Sequence, residues 1–268
     1  MNNNKDNDKE NGVKKEDVNS FSFLKIDMLT RRSHALNLLL RNDDIIVGFN
    51  GELFKGNQKT LNQNLKIEDL KVLTILRKKI FFNVKVNGPL GIKLLEIGNE
   101  EAQEINKEAE DFLTKNKNYD NFKEFEVYKG SKNYYDIIEI NDTSLFASLL
   151  PFVWFIHHRL YSPLLLLLAT FMLLGSIEWW LFLAAWVITT FYMSKSSLSL
   201  LRGYCLFNEM KPYMKIFSLS SKAVQETIRM LDKKSNYRFP MIEGPVDNDS
   251  DNNKEKEATQ NLNAQEAT

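Results

Sequence analysis

Residues 163–193 read PLLLLLATFMLLGSIEWWLFLAAWVITTFYM and carry one charged residue, Glu178. About eighteen consecutive apolar residues already suggest a membrane helix, so this run constrains the chain more than any other feature. As one helix it would reach roughly 46 Å at about 1.5 Å per residue, against a hydrocarbon core of about 30 Å. Gly175, Ser176 and Glu178 stand at its middle. Two are turn formers, and the third is a carboxylate that favours water. The expected arrangement is a membrane hairpin of two helices, at about 160–174 and 179–193. Trp179, Trp180, Phe191 and Tyr192 would then sit in the headgroup layer. One long tilted helix with Glu178 buried is the other arrangement the run permits.

The flanks set the expected topology. Arg159, with His157 and His158 beside it, precedes the run, and Lys195, Arg202, Lys211 and Lys215 follow it. Basic residues on both sides and none in the turn imply an even number of crossings with both ends cytoplasmic. The expectation is an integral membrane protein with the lipid bilayer as a partner. A second apolar stretch, residues 145–156 (LFASLLPFVWFI), is too short to cross and contains Pro151, so it is expected to lie in the interface or re-enter. If it crossed, the N-terminal part would become external.

Thirty-five basic residues balance 35 acidic ones, and the formal charge of zero gives no attraction to nucleic acid. The one cysteine, Cys205, excludes an internal disulfide and a multi-thiolate zinc site. The first 20 residues are polar, with no apolar core of a signal peptide. This N-terminal tail (1–20) and the acidic tail 243–268 are expected to be disordered.

Between residues 21 and 97 the pattern is mixed. FSFLKIDM reads as a strand, and Ser33 caps a short helix, HALNLLL. DDIIVGFNG is a buried strand entering a turn at Asn50-Gly51, where positive φ is cheap. Residues 60–65 form a helix with Leu61 and Leu65 on one face. KVLTILRKKIFFNVKV gives two strands joined at Arg77-Lys78-Lys79. Residues 99–115 read as a charged helix with Ala102, Ile105, Ala109, Phe112 and Leu113 at helical spacing. Residues 119–140 form an aromatic-rich β-hairpin whose side chains supply a small core.

The order helix, turn, strand and Asn-Gly in SHALNLLLRNDDIIVGFNG, followed by KVLTILRKK, resembles a PDZ domain. Asp44, Ile45, Ile46, Asn50 and Gly51 fall on that family's pattern, while Asp43 replaces its usual glycine. The family's glycine-containing carboxylate loop normally comes near the N-terminus. Here Gly88-Pro89-Leu90-Gly91-Ile92 comes late, which implies a permuted arrangement. On that resemblance Leu90, Gly91 and Ile92 would offer backbone donors to a partner's C-terminus. The following strand would accept β-addition, with Leu61 and Leu65 lining the pocket. The same four residues, 88–91, also fit an ordinary turn. A second resemblance, to a family of small bacterial inner-membrane proteins of unknown function, rests on three short stretches within about 149–226. They are PFVWFIHHRLY at 151–161, LLRGY at 200–204, and FSLSSKAVQETIRML, with Val224, Ile228 and Leu231 on one face.

The fold expected is α+β: a small PDZ-like, partly open β-barrel with two helices, followed by an α-helical membrane hairpin. The division is 1–20 tail, 21–98 PDZ-like domain, 99–143 connector, 144–204 membrane region, 205–242 amphipathic-helix region and 243–268 tail. No nucleophile, metal or phosphate motif is present, so no catalytic residue, cofactor or metal is expected. The function expected is a non-enzymatic, membrane-anchored adaptor for a partner's C-terminus or exposed strand. A regulatory accessory subunit of a membrane protease and a small oligomeric transport or channel subunit are the alternatives.

Overall fold

The computed structural model describes residues 23–67, 71–140 and 145–245. The expected N-terminal tail and most of the acidic tail lie outside them. The first half runs β1 (Leu24–Met28), α1 (His34–Asn37), β2 (Ile45–Phe49), β3 (Glu52–Leu53), α2 (Gln58–Ile67), β4 (Val72–Arg77), β5 (Ile80–Lys85), β6 (Lys93–Glu96) and α3 (Asn99–Lys115). Then come β7 (Lys123–Lys129), β8 (Tyr134–Glu139), α4 (Leu145–Leu149), α5 (Pro151–His157), α6 (Tyr161–Ile177), α7 (Trp179–Phe207), β9 (Lys211–Ser218), α8 (Ser221–Leu231) and β10 (Asn236–Tyr237).

Local chemistry explains the first half. The Ser33 hydroxyl accepts from the Leu36 N–H and starts α1. Asn50-Gly51 and Lys78-Lys79 both hold positive φ, as two-residue hairpin turns of this hand require. Gly48 is needed for a different reason: a Cβ there would stand 2.9 Å from Leu113 of α3, which crosses the sheet at this point. Arg77 closes the layer beneath. Its Nε and Nη2 each lie 2.7 Å from Asp44 oxygens, and Nη2 also donates to the Leu39 carbonyl.

The expected barrel, ending near residue 98, is instead one half of a ten-stranded mixed sheet in the order β10-β8-β7-β9-β5-β4-β2-β1-β6, with β3 on β2. The join is β9, which pairs with β7 over most of its length and with β5 at Asn83 and Phe217. One core spans the join and brings Leu24, Leu61 and Leu73 together with Phe125, Met214 and Ile228. α3 covers the opposite face over Phe23, Val47 and Leu76.

The membrane reading is corrected. α6 and α7 meet at Glu178, but no helix among the described residues is long and apolar enough to cross a membrane. The 17 residues of α6 reach only about 25 Å. α7 has 29 residues, but it turns polar at Ser194 and Lys195. The long run therefore divides into two pieces, each insufficient alone. A membrane-spanning hairpin, and with it the expectation of an integral inner-membrane protein, is not supported. Residues 145–156 break at Pro151 into α4 and α5, and α5 buries Trp154 and Phe155 against the foot of α6 and α7.

Candidate functional site

Among the described residues β6 is the last strand of the sheet and only β1 pairs with it, antiparallel from Leu24↔Glu96 to Met28↔Lys93. On its other side stands the first turn of α2. Gln58 Nε2 donates to the Ile92 carbonyl at 2.8 Å, and the Leu94 N–H donates to Gln58 Oε1 at 3.3 Å. A side-chain amide thus makes the two hydrogen bonds that one residue of an added strand would make. Gln58 is half-buried.

The loop before β6 is fixed by glycine geometry. Gly88 and Gly91 have φ of 148° and 67°, values that side chains disfavour. The Leu90 carbonyl accepts from the Ala35 N–H at 3.1 Å, and the Asn87 N–H points to His34 Nε2 at 3.4 Å. The loop therefore rests on α1, with Gly91 exposed and 3.7 Å of space between an added Cβ and Ser33.

The structure brings the five sequence-predicted residues together, but not as an open pocket. Leu61 and Leu65 are fully buried, Leu90 nearly so, and with Ile92 they belong to the main core. Only Gly91 stands at the surface. The leucines pack against one another because α2 lies close on β6, and the space expected for a ligand's last side chain is filled by the protein's own.

A second feature lies at the far half of the sheet. A cavity of about 290 Å³ opens between β8, α5, α7 and α8, lined by Asp136, Trp154, His158, Ser197, Gln225 and Arg238 among others. Arg238 Nη1 lies 2.9 Å from Asp136, and both side chains are buried. Arg238 also donates to the His158 carbonyl and stacks 4.2 Å over the Tyr204 ring. The Cys205 thiol lies 3.6 Å from Asp136. Burial, reinforced by the Asp136 charge, pushes that thiol far up, so it stays protonated and unreactive. The two buried charged groups of the cavity, Asp136 and Arg238, satisfy each other. Sequence reasoning missed this pair. Asp136 and Arg238 lie 102 positions apart, and neither stands in a local pattern that announces the other.

Beside the cavity, Glu126 accepts from Arg202 at 2.7 Å through both guanidinium nitrogens used, with Lys215 at 3.2 Å. Burial would raise its pKa, but the two cations outweigh burial and hold it below the ordinary value. Among the described residues no group of three histidines, cysteines or acids could hold a metal ion. No protein-family model, curated protein or solved structure matches this chain.

Proposed function

We propose that the chain is a non-enzymatic binding protein that takes an extended segment of a partner protein along the free edge of β6, ending at the Gly88–Gly91 loop. One observation carries this reading: Gln58 occupies two backbone positions of that edge as a stand-in for an incoming strand. Strand addition supplies main-chain hydrogen bonds, and Gln58 needs only to rotate away for a peptide to make them instead. The resemblance of residues 21–97 to a permuted PDZ domain supports the same edge and the same end of it. The buried Leu61 and Leu65 change one part of the expectation. They support the edge from beneath, and the ligand's specificity comes from its contacts with exposed Lys93, Leu95 and Glu96.

The test is selection of C-terminal peptides from a displayed random library on the full chain, followed by titration. A selected peptide should protect the amides of 92–96 from exchange, and Leu95→Glu, at an exposed position of β6, should weaken binding while leaving the circular dichroism unchanged. Amidating the peptide should weaken binding if its carboxylate rests on the loop. Failure to select any peptide would overturn the reading. Leu65→Lys is not a test of binding, because it places a charge in the core.

A further inference from the structure

The hairpin of α6 and α7 leaves the sheet and carries its own surface chemistry. Each helix buries a single seam. On α6 the inward residues are Leu164, Leu167, Phe171 and Leu174. Phe171 makes edge contacts with Phe182 and Phe152, and Trp186 closes the group. The other sides stay open and apolar. Leu166 is 71% exposed, Met172 76%, Trp179 71%, Ile188 67% and Phe191 70%. These positions form two faces: Leu165, Leu166, Met172 and Leu173 lie on the side of α6 turned away from α7, and Leu183, Val187, Ile188 and Phe191 on the side of α7 turned away from α6. A protein partner with one binding face covers one side of such a finger. Only a medium that surrounds it covers all of them.

The foot of the hairpin has opposite chemistry. Met193 packs with Leu160 and Trp154, which places Lys195 at the level where α6 begins. Arg159, His157 and Lys195 are all exposed there, with Tyr161 and Tyr192 beside them, and the finger bears no acid until Glu178 at its tip. Apolar flanks above a basic, aromatic foot match the acyl layer and the phosphate layer of an anionic lipid surface. We propose that this hairpin is a one-sided lipid contact, immersed from its own side with the foot among anionic headgroups and not traversing the bilayer. The limited reach of α6 and the polar turn of α7 at Ser194 set its depth. Glu178 opposes immersion, but one carboxylate weighs less than the many large apolar side chains around it.

The test uses the full chain with phosphatidylcholine vesicles, with and without phosphatidylglycerol. The chain should float with vesicles, more completely when anionic lipid is present. Brominated acyl chains should quench the emission of Trp179 and Trp180. The double variant M172E/I188E, at two open positions, should lose at least tenfold in vesicle partitioning with an unchanged circular dichroism spectrum. Lys195→Gln should reduce the preference for anionic vesicles and leave neutral binding alone. A chain that stays in the aqueous fraction with both vesicle types overturns the proposal. So does self-association that M172E/I188E abolishes without vesicles, which would assign the finger to a second copy. Cleavage near Ser176 by a protease sealed inside the vesicles would overturn its one-sidedness. Each outcome is independent of whether β6 binds a peptide.

Discussion

Two glutamines hold extended backbone in the same way at opposite ends of the sheet. Gln58 bonds the Ile92 carbonyl and the Leu94 N–H; Gln225 bonds the Phe239 carbonyl at 2.7 Å and the Met241 N–H at 2.8 Å. Their surroundings differ. Gln225 is 2% exposed, and its own carbonyl accepts from Tyr237. The segment it holds is further tied by Arg238 to Asp136 and by Arg229 to Ser235 and Glu243. Gln58 is half-buried, and it holds a strand that already has its ladder with β1. The same amide is therefore a structural rivet at one end and a removable cover at the other. What decides between them is burial and the number of supporting bonds, since an unmade bond costs most where water cannot replace it.

The comparison breaks most easily at Arg238. Replacing it with alanine leaves Asp136 buried without its cation, and removing one partner of such a pair typically costs about 3–5 kcal/mol. Urea unfolding of the full chain should show that loss. A cost below about 1 kcal/mol would mean that the 236–243 strap is not what closes this end. Gln225→Ala should follow, at about 1–3 kcal/mol, because two buried backbone groups lose their partner. Native-state exchange should show the amide of Met241 opening first.

Acid sharpens the comparison from the same side. Asp232 accepts from the Tyr135 hydroxyl at 2.8 Å and from Lys129 at 3.1 Å. Burial alone would raise its pKa, but those bonds and the lysine charge carry it below its ordinary value of 3.8. Glu126 is likewise held below its ordinary value of 4.5 by Arg202 and Lys215. A carboxylate with a depressed folded-state pKa stabilises the fold above its unfolded pKa and loses that contribution as pH falls through the folded one. Stability should therefore be level from neutrality down to about pH 5 and decline below roughly pH 4 as both acids protonate. D232N should flatten part of that decline. An unchanged acid limb in D232N would remove Asp232 from the account.

Much of this was legible locally, and the failures share one cause. The cap at Ser33, the turns at Asn50-Gly51 and Lys78-Lys79, the helix at 99–115 and the hairpin of β7 and β8 were readable because each is decided within a few residues. β9 was not. KPYMKIFS carries two lysines and a proline, follows a long helix, and is a strand only because β7 and β5 lie on either side of it. The apolar run misled in the opposite direction. Counted as 31 residues it exceeds any threshold for a membrane segment, but Glu178 ends one helix and begins the next. At the candidate site, periodicity placed Leu61 and Leu65 on one face of α2, which the structure buries, while the loop at 88–91 was expected only from the resemblance. Neither gave a sign of Gln58, whose role depends on a strand 34 positions away.

Gln58 is also where the smallest change in stability should carry the most information. Gln58→Ala removes two hydrogen bonds at a half-buried position, where water can reach the freed Ile92 carbonyl and Leu94 N–H, so the expected loss is about 0.5–1 kcal/mol. Peptide binding should respond in the other direction. With the amide gone, an incoming segment no longer competes for the edge, and affinity for any selected peptide should rise severalfold. An uncovered edge also invites edge-to-edge pairing, so the variant should self-associate more readily at high concentration. If Gln58→Ala instead costs as much as Gln225→Ala and peptide affinity does not rise, both glutamines are rivets. The two ends of the sheet would then differ only in sequence, and the edge of β6 would be closed for good.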